Sequence, residues 1–236
     1  SMKSIWRDSF GPRMEYILYN ALATLLEIES VTLLHLPRLL TDARFRTQVI
    51  PRVTDPLLRA FWLTEYERYD HRFRQEAIAP IQNKIGQYLM SAPIRNILGQ
   101  VRSKIEFRFM MDRQRIFVAN LAKGRIGSAA DLLGSFLVSQ FEHAAMRRAD
   151  VPEQERPDFL LVVDEFPNFS TDSFATLLSE ARKYRIHLVL ACQFFNQISP
   201  AVLSAILGNV GSIIAFRAGH TDAEVLSNEY SGTFAP

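Results

Sequence analysis

Two adjacent carboxylates, Asp164 and Glu165, end an apolar run that reads LLVVDEF from Leu160 to Phe166. Where a strand ends the chain turns, so both side chains can approach one ligand although neighbouring strand residues face opposite ways. Such a pair suits magnesium chemistry, in which Asp164 would hold the metal through water and Glu165 would polarise an attacking water. An acidic helix cap is the alternative interpretation, because acids are common at helix starts.

An amide and a guanidinium follow two later apolar runs. Gln193 ends HLVLACQ, and a glutamine there can contact a terminal phosphate or orient water. A hydrogen bond to a loop would explain Gln193 equally well. Arg217 ends a further run and is a phosphate-binding candidate, with a solvated surface arginine as the alternative. Arg182 lies near the end of a predicted helix, where a cation is favourable in any case.

The second half of the chain alternates short apolar runs with helical patterns, which predicts an α/β fold with a parallel sheet covered by helices on both faces. In such sheets ligands collect at the carboxyl ends of the strands, where the residues above are expected to lie. The predicted strands are Arg115–Leu121, Phe159–Val163, His187–Ala191 and Ser212–Phe216. The predicted helices are Ser128–Arg148, Thr171–Tyr184, Pro200–Leu207 and Asp222–Glu229.

The first half of the chain has a helical apolar period interrupted by prolines. Apolar residues recur at three- and four-residue steps from Met14 to Leu25. Asp55 before Pro56 is typical of an N-cap followed by proline at the first helical position. We therefore predict five or six packed helices over residues 12–100. Residues 1–107 are expected to form a mainly helical domain and residues 108–236 an α/β domain.

Composition excludes several classes of protein. The chain has 236 residues, a net charge of +2 and one cysteine, Cys192, so there is no internal disulfide and no strongly basic nucleic-acid binder. Its five histidines are widely separated, which argues against a metal cage. No GxxxxGK[ST] string occurs, and residues 121–128 (LAKGRIGS) only superficially resemble a phosphate loop. A strand-to-helix turn is the better interpretation of that segment.

Three motifs together carry a family resemblance: LLVVDEF, then EARKYRIHLVLACQ from Glu180 to Gln193, then NVGSIIAFRAGHTDAEVL from Asn209 to Leu226. In this order they resemble the C-terminal portion of conjugative DNA-transfer ATPases, the type IV secretion coupling proteins of the HerA–FtsK class of RecA-like P-loop motors. The resemblance covers roughly residues 108–230. More weakly, the helical first half resembles the all-α domain that such motors insert after the phosphate loop.

The resemblance implies a role for each candidate residue. Asp164 and Glu165 would be the Walker B pair, with Asp164 holding Mg²⁺ through water and Glu165 catalytic. Gln193 would sense the γ-phosphate. Arg182 matches the position of an arginine finger offered to the adjacent subunit, where its charge would stabilise the transition state. Arg217 would bind the nucleotide or face the subunit boundary.

The family's Walker A loop and first strand have no counterpart here, so we expect a fragment whose sheet has an open edge that invites pairing with another chain. The complete protein would bind ATP and Mg²⁺, whereas this chain alone is expected to bind ATP weakly and not to turn it over. The implied partners are DNA, single- or double-stranded, further copies in a ring, expected to be a hexamer, and secretion or relaxosome proteins. The implied location is cytoplasmic, at the inner face of the bacterial membrane, with any membrane anchor upstream.

Two other functions remain open from the sequence. One is a non-catalytic, motor-like module that docks a protein partner through its helices. The other is a different Walker-type ATPase of the AAA+ or replication type. The arginines of the helical half could contact phosphates, but the acids between them make a solvated mixed-charge surface the alternative.

Overall fold

The computed structural model describes residues 11–127, 129–170 and 174–230, which divide into two compact units. Residues 11–105 and 121–130 form one, which we call the helical unit. Residues 106–120 and 131–230 form the other, which we call the sheet unit. Among the described residues, no helix combines the length and hydrophobicity needed to cross a bilayer.

Six α-helices occupy the helical unit up to residue 100, within the range that the proline spacing predicts. The Asp55 carboxylate accepts the Leu57 N–H at 2.8 Å, as expected of an N-cap before Pro56. A π-helical turn, Phe61–Glu65, continues the fourth helix. The six helices are α1 (Pro12–Glu27), α2 (Leu36–Thr41), α3 (Ala43–Val49), α4 (Pro56–Ala60), α5 (His71–Leu89) and α6 (Ala92–Leu98), and a short α8 (Lys123–Ile126) follows later in the chain.

Aromatic side chains with satisfied polar atoms form the centre of the helical unit. Trp62 is buried and its indole N–H donates to the Thr24 hydroxyl at 2.7 Å. The Tyr66 hydroxyl, also buried, donates to the Leu40 carbonyl at 2.7 Å, and burial raises the pKa of Tyr66 to about 12. These bonds remove the cost of burying the polar ends of large rings, so the rings contribute their full apolar area to the core.

The sheet unit contains two strands and the remaining helices. Strand β1 forms over the predicted residues, and β2 begins and ends one residue earlier than predicted. The helices also follow the predicted order, as far as the described residues reach; residues 128 and 171–173 lie outside them. The elements are α7 (Phe107–Asp112), α9 (Ala129–Met146), β1 (Phe159–Val163), α10 (Phe174–Glu180), β2 (Ile186–Leu190), α11 (Pro200–Asn209) and α12 (His220–Tyr230).

Strands β1 and β2 pair in parallel, with Phe159 opposite Ile186 and Val163 opposite Leu190. The face bearing Phe159 and Val163 is buried, and Phe159 stacks on Phe141 of α9 with ring centroids 5.4 Å apart. The opposite face is bare in this unit, contrary to the prediction of helices on both faces. Its apolar side chains stay about half exposed: Leu160 58%, Val162 60% and Val189 49%.

The prediction of strands at Arg115–Leu121 and Ser212–Phe216 is wrong for this structure. Within the described residues the sheet consists of β1 and β2, and neither segment pairs with it. Their alternate apolar side chains are almost fully exposed: Ile116 94%, Val118 84%, Ile214 84% and Phe216 92%. Apolar alternation shows that a segment can be a strand, but a strand also needs a neighbour to complete its hydrogen bonds, and these two segments have none in the ladder.

One buried arginine ties the starts of both strands together. Arg148 is fully buried, and its guanidinium donates to the Tyr184 carbonyl at 2.9 Å and the Pro157 carbonyl at 2.6 Å. Its Nε lies 3.0 Å from a carboxylate oxygen of Asp112 in α7. Because Pro157 and Tyr184 each lie two residues before a strand, this side chain holds the starts of β1 and β2 together.

Two helix glycines differ in the room available for a side chain. A Cβ on Gly134 in α9 would lie 2.2 Å from the buried Phe169 ring, whereas a Cβ on Gly86 in α5 would meet no atom within 4 Å. Gly134→Ala is therefore expected to lower the free energy of unfolding by about 1–3 kcal/mol despite alanine's better helix propensity. Gly86→Ala, the matched control, should raise it by about 0.5–1 kcal/mol.

Urea unfolding followed by circular dichroism measures both changes. If the Gly134→Ala variant were as stable as the unaltered protein, the Phe169 ring would be free to move aside, and its tight packing on α9 would be wrong.

Candidate functional site

The turn after β1 places Asp164 and Glu165 at the carboxyl end of the sheet. The Asp164 side chain accepts the Glu165 N–H at 3.1 Å. The Phe166 N–H donates to the Ala191 carbonyl at 3.0 Å, which joins this turn to the end of β2. The two acidic residues are thus held beside the residues that follow β2, because both strands run in the same direction and end together.

Glu165 has a left-handed backbone, with φ 50° and ψ 42°. A non-glycine residue in this region costs of order 1 kcal/mol and persists only where the surroundings enforce it. The Phe166 N–H bond to Ala191 supplies such an anchor one residue later. The left-handed turn departs from helix-capping geometry, and Glu165 makes no side-chain hydrogen bond to the short 3₁₀ turn that follows, so the acidic-cap interpretation does not account for it.

Gln193 meets Glu165 directly. The side-chain amide of Gln193 donates to the Glu165 carboxylate, and both groups reach solvent, since Gln193 is exposed and Glu165 is half-buried. The structure therefore brings together a carboxylate and an amide from the ends of two neighbouring strands. From the sequence, the Glu165 carboxylate is expected to polarise water and the Gln193 amide to contact a phosphate.

A third acid, Asp222, lies near the same end of the sheet, and nothing in the sequence singles it out. Both of its carboxylate oxygens accept the Phe195 N–H, at 3.3 and 3.4 Å. Burial raises the pKa of the Cys192 thiol, and the negative charges of Asp222 and Glu165 raise it further. Asp222 lies in the first turn of α12, where acids are common, so its type and position alone gave no signal of this contact.

Arg182 lies at the other end of the sheet from the acidic pair, and Arg217 does not end a strand. Arg182 is exposed in the 3₁₀ turn Ala181–Tyr184, before β2 begins, whereas Gln193 follows the end of β2. Five strand residues span about 16 Å, so Arg182 and Gln193 are at opposite ends of the sheet. Arg217 is exposed and follows the extended segment Ser212–Phe216 rather than a strand.

Mg²⁺ is commonly held by only one or two protein carboxylates, with waters and phosphates as its other ligands. The exposed Asp164 fits that modest requirement. Within the described residues, no group of three or more histidine, cysteine or acidic side chains is arranged to hold a metal ion unaided. Any Mg²⁺ at Asp164 would therefore take its other ligands from waters or a bound phosphate.

Several arginines of the helical unit form ion pairs with nearby acids. Arg46, which is buried, lies 2.7 Å from a Glu67 carboxylate oxygen, and Arg74 is 3.6 Å from the other oxygen of the same group. Arg38 and Asp42 pair at 3.0 Å and Arg72 and Glu76 at 3.1 Å, each one helical turn apart. These contacts favour the mixed-charge surface over a continuous groove for nucleic-acid phosphates.

Comparison with protein families relates part of the sheet unit to conjugation proteins. Residues 158–233 match the family model described as the TraM recognition site of TraD and TraG. The matched range contains β1, β2, Asp164, Glu165 and Gln193, and it supports a C-terminal region of a conjugative coupling protein. No curated protein and no solved structure matches the chain.

Proposed function

We propose that this chain is part of an ATP-driven motor that moves DNA during conjugation, with the sheet unit as the C-terminal part of a RecA-like P-loop domain. The observation that carries the proposal is the contact of the Gln193 amide with the Glu165 carboxylate at the ends of adjacent parallel strands. The match of residues 158–233 to a coupling-protein family supports it independently.

Each polar group has a separate role in the proposed site. Bound Mg²⁺–ATP supplies the reactive phosphoryl group. Asp164 would hold Mg²⁺ through water, and Glu165 would polarise the water that attacks the γ-phosphate. Gln193, whose amide donates to the Glu165 carboxylate, would contact the terminal phosphate beside it. Arg182, at the other end of the sheet from Gln193, acts on the site of a neighbouring copy in a ring.

The chain lacks the phosphate-binding part of such a site. Its 236 residues contain no GxxxxGK[ST] string, hence no loop of backbone N–H groups with a following lysine to hold the β- and γ-phosphates. Arg217 can place one positive charge near a phosphate. That charge supplies only a small part of the binding energy that a complete phosphate-binding loop provides. The chain alone should therefore bind Mg²⁺–ATP weakly and hydrolyse none.

We also propose that residues 158–233 contact a TraM-type relaxosome protein, because the matched family is described by that recognition. DNA is the cargo in this proposal, and the motor works as a ring of copies in the cytoplasm at the inner face of the membrane. The description as a recognition site equally favours the second candidate function, a non-catalytic module that docks a protein partner.

Titration calorimetry of the chain with TraM and, separately, with Mg²⁺–ATP tests the proposal. We expect saturable TraM binding and ATP binding weaker than micromolar. The matched control is the Glu155→Gln variant, which should bind TraM unchanged because Glu155 is exposed and lies outside residues 158–233. An absence of TraM binding would contradict the proposed partner. Micromolar ATP binding would contradict the proposal that this chain lacks the phosphate-binding part of the site.

A further inference from the structure

The short segment that carries Gln193 is held at both of its ends. On one side, the Ala191 N–H donates to the last carbonyl of β1 at 3.1 Å, which continues the ladder between the strands. On the other side, the Phe195 N–H donates to both carboxylate oxygens of Asp222, at 3.3 and 3.4 Å. Gln193 lies midway between these two anchors, so the position of its amide depends on both of them.

Asp222 takes the place of a missing helix cap. Phe195 begins the short 3₁₀ turn Phe195–Gln197, and the first N–H groups of a helical turn have no acceptor within it. A serine, threonine, aspartate or asparagine just before the turn commonly supplies that acceptor. Here the preceding residue is Phe194, whose side chain has no oxygen, and Asp222 supplies the acceptor from 27 residues away.

The start of α12 does not by itself explain this contact. Asp222 lies in the first turn of α12, where a negative charge is favourable beside the helix N-terminus. Glu224 shows how a nearby acid behaves without such a contact: it is exposed, and its carboxylate lies 3.3 Å from the His220 ring in the same helix. Asp222 is half-buried and bonds instead to the segment after β2.

Cys192, between the two anchors, lies close to the same carboxylate. Burial raises the pKa of its thiol, and the negative charges of Asp222 and Glu165 raise that pKa further. Because such charge effects weaken with distance, both carboxylates are near this side chain. The chain has one cysteine, so the reactivity of its thiol reports on this segment alone.

We propose that Asp222 is a positioning residue for the site at the carboxyl end of the sheet: by accepting the Phe195 N–H, it holds the segment 192–194 in place and keeps the Gln193 amide beside Glu165. This inference rests on the function proposed above, in which Gln193 contacts the terminal phosphate. Turnover depends on the orientation of such a group, so a loosened segment lowers turnover although the nucleotide still binds.

Steady-state ATP hydrolysis by a protein that joins this chain to a phosphate-binding loop tests the proposal. Asp222→Ala removes the acceptor and should lower kcat by about 10-fold, whereas KM should change by less than about 2-fold because the phosphate-binding loop supplies most of the affinity. Asp222→Asn keeps an oxygen that can accept the Phe195 N–H, so kcat should stay within about 3-fold of the unaltered value. Glu224→Ala is the matched control and should change neither constant.

The pH profile of Cys192 alkylation by iodoacetamide, measured on the full chain without nucleotide, tests the tether itself. The profile gives the pKa of the thiol and the limiting rate of the ionised thiol. Asp222→Asn should lower the pKa, since a negative charge is removed, and leave the limiting rate unchanged. Asp222→Ala should lower the pKa and also raise the limiting rate by about 3-fold or more, because the loosened segment opens to the reagent. Glu224→Ala should change neither quantity.

Circular dichroism checks that each variant folds. Should Asp222→Ala fail to fold, Asp222→Ser replaces it in both measurements. Serine keeps a polar group at the start of α12, but its oxygen lies about one bond further from the Phe195 N–H, so the tether is still removed.

The outcomes separate this inference from the function on which it rests. If Glu165→Gln lowers turnover and Asp222→Ala does not, Asp222 has no positioning role. The inference is also wrong if the Asp222→Asn variant is as inactive as the Asp222→Ala variant, or if Asp222→Ala leaves the limiting alkylation rate unchanged. If Glu165→Gln leaves turnover unchanged, the motor function is wrong, and the alkylation rates still decide whether Asp222 holds the segment.

Discussion

Glutamine in place of Glu165 is expected to lower ATP turnover by about 100-fold or more in a protein that joins this chain to a phosphate-binding loop. The carboxylate is the group proposed to polarise the attacking water, and an amide of the same size cannot accept the proton. The amide can still hydrogen-bond to Gln193, so the turn with its left-handed residue is preserved. Steady-state phosphate release measures the effect.

Glu155→Gln is the control for that experiment. Glu155 is an exposed glutamate in the same unit, outside the sheet end, and its replacement should leave turnover unchanged. Normal turnover after Glu165→Gln would remove the catalytic role from this residue, and with it the motor as the function of this site. The interaction module would then be the better account.

Arg182 offers a second test of the same site. Arg182→Ala subunits retain Glu165, and Glu165→Gln subunits retain Arg182. If Arg182 acts on a neighbouring copy, mixing two inactive variants should restore part of the turnover, because some interfaces combine an intact glutamate with an intact arginine. Mixtures as inactive as either variant would show that Arg182 does not act in trans.

Methionine in place of Arg148 is expected to lower the free energy of unfolding of the sheet unit by about 3 kcal/mol. The substitution keeps an unbranched apolar stem but leaves the carbonyls of Pro157 and Tyr184 without their donor. Burial lowers the pKa of Arg148, and the Asp112 carboxylate counteracts this by favouring the charged guanidinium. Asp112 keeps a second partner, since Arg108 donates to it at 3.2 Å. The loss of stability therefore stays below the cost of leaving a buried charge with no partner.

Urea unfolding at neutral pH measures the effect, and Arg147→Met is the matched control. Arg147 is the exposed neighbour of Arg148, and its substitution should change the free energy of unfolding by less than about 0.5 kcal/mol. Equal stability of the Arg148 and Arg147 variants would mean that the starts of β1 and β2 are fixed by their own backbone ladder, with no need of the guanidinium.

The residues that carry local signals behave as the sequence indicates. Asp55 before Pro56 starts a helix because its carboxylate accepts an early N–H, a bond made within three residues. LLVVDEF supplies most of a strand that is buried on one face and ends at its acids. Pro80 is an exception, because α5 continues through it although a proline is expected to interrupt a helix. The order of β1 and β2 with their intervening helix also follows from the alternation of apolar runs and helical periods.

Pairing between distant segments was decided by the tertiary structure. Arg115–Leu121 and Ser212–Phe216 carry the same apolar alternation as β1, yet they form no ladder, because a strand exists only beside a neighbour that accepts its hydrogen bonds. The roles of Arg148 and Asp222 were equally invisible, since each depends on backbone groups far away in sequence. The sequence alone indicated that Asp164, Glu165 and Gln193 follow two strands, although it wrongly placed Arg217 at the end of a third. The parallel register of β1 and β2 decided that Glu165 and Gln193 touch, because it makes both strands end side by side.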